Sequence, residues 1–285
     1  MAQVILFEDA YYHAQHKHVF VARPNFDQSV SSLVVLEGNW AFYVDPNFQT
    51  PNPPIFGPGL YPDLGLYSNL PAGIKNMKSL QPVDAEPTIF ADVPANSHVI
   101  LFEHANYHGN HKHVFYQNNN LNVGSEFHMD NQVSSLVVLE GNWAFYADPN
   151  YENQYPPILG PGLYPNLPAG IKDNDMSSLQ LVNAAPTVSA DPVDSQIILF
   201  IDANFLGNHK HIFHAEDNLN ADDDDGFNDA VSSFHILSGL WVFYKDAGYR
   251  NPYADGRQFG PAIDGSWVEA LGITNDDMSS LKSVQ

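Results

Sequence analysis

One long segment occurs three times in this chain: VILFEDAYYHAQHKHVF from Val4, VILFEHANYHGNHKHVF from Val99 and IILFIDANFLGNHKHIF from Ile197. A second occurs three times further on, as SSLVVLEGNWAFYVDPNF from Ser31, SSLVVLEGNWAFYADPNY from Ser134 and SSFHILSGLWVFYKDAGY from Ser232. The period, about 95 to 100 residues, is too long for a solenoid repeat and has the size of a small domain. Three tandem domains are predicted over 1–85, 96–185 and 195–285, with Pro, Ala, Asp and Ser-rich linkers at about 86–95 and 186–194.

Each domain is itself a duplication. Both halves open on an aromatic, four residues and a second aromatic, as in Phe102 to Tyr107 and Tyr146 to Tyr151. They close on two acid-or-amide residues, two variable ones and a Ser pair: Asp130 to Ser135, Asp173 to Ser178, Asn228 to Ser233 and Asn275 to Ser280, with a thinner copy at Asp27 to Ser32. Period-two alternation, aromatic and β-branched enrichment and frequent turn signals predict an all-β chain, each domain a sandwich. The Pro-rich passages from Pro51 and Pro156 are excluded from central strands and read as loops or edges. Short helical turns are expected near Leu167–Ile171 and Trp267–Ile273.

Eleven Lys and Arg against 33 Asp and Glu, formal net charge −22, leave no basic surface for phosphate or anionic headgroups, which excludes nucleic-acid and membrane-surface binding. With no Cys there is no disulfide framework, thiolate metal site or thiol nucleophile. The repeat begins by Val4, so no signal peptide is read; the protein is expected to be soluble, with cytoplasm or secretion left open.

The closing motifs carry oxygen chemistry. Asn and Asp tolerate left-handed turns and offer hard oxygens, Ser hydroxyls add more, and calcium accepts six to eight such ligands. The alternative is that these side chains only close turns against their own backbone. Repetition in so acidic a chain favours calcium.

These paired motifs resemble the βγ-crystallins, whose half-domain is a four-stranded Greek key; the full opening pattern, ending in Gly, stands at Phe102 to Gly109 and Phe200 to Gly207. The resemblance implies three domains of two Greek keys, each domain holding two calcium ions shared between its halves. It implies a backbone carbonyl from the second closing position, a side-chain oxygen from the third, and a fifth-position Ser reaching toward the other ion. Another carbonyl is implied just after the opening aromatic, at Glu8, Glu103 or Ile201. The implied ligand set is then Asp27, Gln28, Ser29 and Ser31 in the first domain; Asp130, Asn131, Gln132, Ser134, Asp173, Asn174, Asp175 and Ser177 in the second; and Asn228, Asp229, Ser232, Asn275, Asp276, Asp277 and Ser279 in the third. Gln132 and Ser29 are neutral, and Ala230 offers no side chain. In the first domain the second closing motif has shrunk to Lys75-Asn76-Met77-Lys78-Ser79, with Lys78 at the Ser position. About four to five Ca2+ sites are expected, weakest in the first domain. The opening Gly is replaced by Ala14, Thr50, Asn153 and Asn251, costly for Ala and Thr if positive φ is needed there.

Two functions follow. One is a non-enzymatic, calcium-binding structural or stress-type protein; the other is a carrier of an apolar, carotenoid-like molecule between domains or subunits, in a homo- or hetero-oligomer. Abundant aromatics and Pro-stiffened loops motivate the carrier. His16/His18, His111/His113 and His209/His211 share strand faces, and two imidazoles fall short of a zinc site, so these pairs are expected to be solvated. Glu103, His104 and His108 do not form a zinc-protease motif. Trp40, Trp143 and Trp241 are expected in the cores.

Overall fold

A computed structural model of the chain describes residues 2–284 apart from 72, 92, 94, 124–127 and 221–225. The alternating segments form antiparallel strands in six sheets, two per domain, and no α-helix occurs among the described residues. In the second domain one sheet runs His111–Val114, His98–Phe102, Ser135–Glu140, Gly162–Tyr164, and the other Gln117–Asn118, Ser178–Val182, Asn142–Asp148, Glu152–Leu159. The halves exchange a strand: Gly162–Tyr164 comes from the second half and Gln117–Asn118 from the first. The first domain repeats the former exchange with Gly59–Tyr61 beside Ser32–Glu37. The Pro-containing segments are outer strands, as their missing N–H donors require. Val268–Leu271 is a short 3-10 turn, whereas 167–171 forms only a turn closed by Ile171 N–H to the Pro168 carbonyl at 3.0 Å.

A buried Ser holds each half together. Ser32, Ser79, Ser135, Ser178, Ser233 and Ser280, the last residues of the six closing motifs, are fully buried. Each hydroxyl donates to the carbonyl of Asp9, Asp45, His104, Asp148, Asp202 or Asp246 at 2.6–2.7 Å. Each also accepts the N–H of the second opening aromatic, Tyr12, Phe48, Tyr107, Tyr151, Phe205 or Tyr249, at 2.9–3.2 Å. Those aromatics are left-handed, φ 57° to 65°, and their rings lie edge-on to the first opening aromatic at 5.4–5.8 Å.

Three cores lie between the sheet pairs, each around a fully buried Trp40, Trp143 or Trp241. Each indole N–H is satisfied by the carbonyl three residues back, at Glu37, Glu140 or Ser238. The Pro and Ala-rich stretches expected as linkers run back along the preceding domain: Leu60 N–H bonds the Val93 carbonyl at 2.9 Å and Leu163 N–H the Asp191 carbonyl at 2.8 Å. They are strapped segments, not free tethers.

The first sheet of every domain is covered on both faces. Val4 and Leu6 enter their own core, while Ile5 and Phe7 join a cluster completed by Phe115 of the second domain. Phe115 lies 6.2 Å from Phe7 and 5.5 Å from Tyr12, ring to ring. Phe213 of the third domain sits in the same way against Phe102 and Tyr107, and Phe20 of the first against Phe200 and Phe205. Three head-to-tail contacts therefore close a ring. The ring also overturns the expectation of solvated His pairs: they follow the same strand face as Phe20, Phe115 and Phe213, so closure turns all three pairs inward. His18, His113 and His211 are buried, and His16, His111 and His209 half-buried.

Among the opening-Gly substitutions, Ala14, Asn153 and Asn251 take φ 64°, 54° and 54°, and Thr50 avoids the region. Thr50 instead accepts the N–H groups of Val44 and Asp45 at 3.1 Å. Ala14→Gly is expected to stabilise the chain by about 1 kcal/mol, read by denaturant unfolding; a destabilisation would show that Ala14 is unstrained. Phe20→Ala should lose about 3–5 kcal/mol at the junction of the first and third domains and open the ring. A raised radius of gyration in small-angle scattering is the expected result, and an unchanged one would contradict closure.

Candidate functional site

The two closing motifs of a domain run side by side, held by backbone bonds that leave their oxygens facing one another. In the second domain Asn131 N–H reaches the Met176 carbonyl at 2.9 Å and Asn174 N–H the Val133 carbonyl at 3.2 Å. In the third, Asp229 and Asp276 bond the Met278 and Val231 carbonyls at 3.0 and 3.5 Å. All four second-position residues are left-handed, φ 52° to 55°, a conformation Asn and Asp adopt at low cost. In the first domain Gln28 does not adopt it, and the shortened motif pairs differently, Val30 N–H bonding the Lys75 carbonyl at 2.7 Å.

The Ser pair divides its work. While the sixth position is locked in the fold, the fifth-position N–H bonds the opening aromatic: Ser31 to Phe7, Ser134 to Phe102, Ser177 to Tyr146, Ser232 to Phe200 and Ser279 to Tyr244, at 2.9–3.1 Å. That places Glu8, Glu103 and Ile201, each one residue beyond its aromatic, next to the motif. Three fifth-position hydroxyls also cross to the partner motif: Ser134 to Asn174 Oδ1 at 3.3 Å, Ser232 to Asp276 Oδ1 at 3.2 Å and Ser279 to Asp229 Oδ1 at 3.3 Å. Glu103 turns its carboxylate to Asn110 Nδ2 at 2.9 Å.

The third-position carboxylates are already engaged. Tyr155 donates its hydroxyl to Asp175 Oδ2 at 2.8 Å, and Lys172 pairs with Asp175 Oδ1 at 2.7 Å. Tyr253 and Lys245 repeat this at Asp277 Oδ2, at 2.9 and 3.0 Å. Lys172, with help from Tyr155, holds the Asp175 carboxyl below the usual carboxylate range. Burial first, and then the neighbouring carboxylate, pushes the Tyr155 and Tyr253 phenols up. Neither Tyr nor Lys is marked by the closing motif; in both domains the Tyr shares an outer strand or turn that only the fold brings back to the motif. Gln132 is exposed, its N–H on the Met129 carbonyl at 3.2 Å.

First-position oxygens differ. Asp173 Oδ2 accepts from Asn174 at 3.1 Å, and Asn228 donates to Asp229 at 2.8 Å. Asp130 Oδ2 accepts from Asn131 at 3.1 Å, but Asp130 Oδ1 and Asn275 Oδ1 are buried and have no hydrogen-bond partner among the described residues, an arrangement that is expensive unless something compensates it. In the first domain Asp27 instead pairs with the Lys78 ammonium.

A cleft of ≈ 560 Å³ opens where the three domains meet, walled by polar groups of Gln15, Lys17, Gln28, Glu103, Asn110 and Asn208. Such walls do not suit a long apolar molecule. Among the described residues no helix is long and apolar enough to cross a membrane.

The beta/gamma crystallin family model matches residues 98–182 and 196–284. Beta-crystallin B1 of Sus scrofa is 30% identical over 165 residues, 58% of this chain and 62% of that protein. The chain spans 55–62% of the length of this and two similar bovine β-crystallins. Among solved structures, a βγ-crystallin from Ciona intestinalis is 31% identical, covering 31% of this chain and 99% of its own, with a TM-score of 0.28. A transition-metal-ion-binding βγ-crystallin from Methanosaeta thermophila is 36% identical, covering 28% and 99%, with a TM-score of 0.25. With its paired Greek keys and a family match over more than half its length, the chain belongs to the beta/gamma crystallin family.

Proposed function

We propose that this is a non-enzymatic structural protein whose second and third domains bind calcium between their paired closing motifs, the ion stabilising the fold. The observation that carries the reading is the pair of buried, unpartnered oxygens, Asp130 Oδ1 and Asn275 Oδ1, beside the crossed Ser and Asx side chains. A cation would supply what those oxygens lack, and calcium suits a mixed shell of carboxylate, amide, hydroxyl and carbonyl oxygen. Lys172 is exposed and Lys245 more than half so, and each can swing away to release Asp175 or Asp277. The first domain is the weakest, because Lys78 already neutralises Asp27. The second, with acids at Asp130, Asp173 and Asp175, is the strongest; the third lacks a side chain at Ala230.

Adding millimolar calcium to chelator-treated protein should raise the melting midpoint clearly, since a native-state ligand at a hundred times Kd contributes about 2.7 kcal/mol per site. An unmoved midpoint would refute the calcium reading. Because the domains share the ring, affinities are best measured on the whole chain by calorimetry. Asp130→Asn should weaken one of the tighter sites, and Asp27→Asn should change none; a loss of tight binding in Asp27→Asn would reverse the ranking.

A further inference from the structure

Six imidazoles meet on the axis of the domain ring, two from each of three equivalent strands. They form two layers. In the outer layer His16 Nε2 and His111 Nε2 lie 3.1 and 3.2 Å from His209 Nε2. In the inner layer the Nε2 atoms of His18, His113 and His211 are buried and have no hydrogen-bond partner among the described residues. Two sets of four ring nitrogens fall within 4.8 Å of one another: His16, His111, His113, His209 and His18, His113, His209, His211. His113 and His209 belong to both, so the two layers share one centre.

Hydrogen bonding among the imidazoles cannot satisfy this centre. A neutral imidazole has one donor and one acceptor nitrogen. His209 Nε2 lies within hydrogen-bond distance of two other Nε2 atoms, and three more buried Nε2 atoms make no hydrogen bond among the described residues. We propose that this centre binds one divalent transition-metal ion of the zinc or nickel kind, held between the two layers of the domain ring by His113, His209 and two more of the six histidines.

Four observations support this assignment. An all-imidazole shell suits zinc, copper, nickel and iron and disfavours calcium and magnesium. With metal–nitrogen bonds of about 2.0–2.1 Å, neighbouring ligands of a tetrahedral ion lie roughly 3.3–3.4 Å apart; the observed 3.1 and 3.2 Å are close to that spacing, and each set of four nitrogens has the number of ligands such an ion needs. The inner rings are oriented from behind by equivalent residues at the strand starts: Gln3 to His18 Nδ1 at 3.5 Å, His98 to His113 Nδ1 at 2.7 Å and Gln196 to His211 Nδ1 at 3.4 Å. With its Oε1 turned to the ring each carboxamide accepts the Nδ1–H, as does His98 Nε2 in the tautomer protonated on Nδ1, and the ring's Nε2 lone pair is then left facing inward. Finally, the polar cleft opens on His16, His111 and His209 and gives the ion a path to the centre.

The test uses the full chain without a histidine tag, stripped with chelator, dialysed against zinc and separately against nickel, with metal content read by mass spectrometry. One ion per chain with a shell of imidazole nitrogen in X-ray absorption supports the proposal; no bound ion, or an oxygen-rich shell, overturns it. His113→Gln and His209→Gln should each weaken binding on the order of 100-fold or more, given that losing even an orienting partner costs 10–100-fold. Asp130→Asn should leave zinc binding unchanged. Unchanged affinity in folded His113→Gln and His209→Gln, checked by circular dichroism, would overturn the site; absorption on the unmodified protein decides the matter if those variants do not fold.

Discussion

Each half-domain depends on one buried hydroxyl. The opening hairpin carries a bulky aromatic in the left-handed region, a conformation that costs a non-Gly residue about 1–2 kcal/mol, and in five of the six halves the residue before it is left-handed and also not Gly. What holds it is the sixth-position Ser, which accepts the aromatic's N–H and donates to a carbonyl at the hairpin start. The bend then drops the second aromatic onto the first, covering the end of the sheet. Removing the hydroxyl would leave two buried backbone groups unpaired, at about 1–3 kcal/mol each. The same Ser fixes its fifth-position neighbour, whose hydroxyl faces the partner motif. The fold and the proposed ion site thus meet at adjacent residues.

Closure of the ring rests on the other face of the same strands. An ordinary sandwich strand buries alternate residues, but Val4–Phe7, Val99–Phe102 and Ile197–Phe200 bury every one. Once Phe20, Phe115 and Phe213 enter the neighbouring domains, the His two residues before each is buried and the His four residues before it meets solvent only through the cleft. The central cluster is therefore a consequence of domain number: two domains would leave the imidazoles wet, and a third seals them.

Repetition made the domain count, the halves and the closing motifs legible in the chain, because copies hundreds of atoms apart repeat the same turn chemistry. The outer placement of the Pro-bearing strands was legible for a simpler reason, the missing donor. The His pairs were misjudged because two imidazoles on one strand are indistinguishable from a polar face until three such faces are brought together. A signal was present: apolar runs such as VILF do not alternate, which marks burial on both sides. Tyr155 and Tyr253 were invisible for a related reason, since their link to Asp175 and Asp277 spans 20 and 24 residues and depends on the crossing of an outer strand. Thr50 shows the limit of aligning by position, because its side chain supplies the turn contacts and its backbone avoids positive φ.

The central claim, that neighbouring Ser residues serve ion and fold separately, is tested most directly by comparing Ser134→Ala with Ser135→Ala by calcium calorimetry and by denaturant unfolding in chelator. Ser134→Ala should lower calcium affinity about tenfold, the worth of one lost oxygen contact, and leave chelated stability unchanged. Ser135→Ala should lose about 1–3 kcal/mol or more of chelated stability. Unchanged affinity in the first variant, or unchanged stability in the second, would contradict the account.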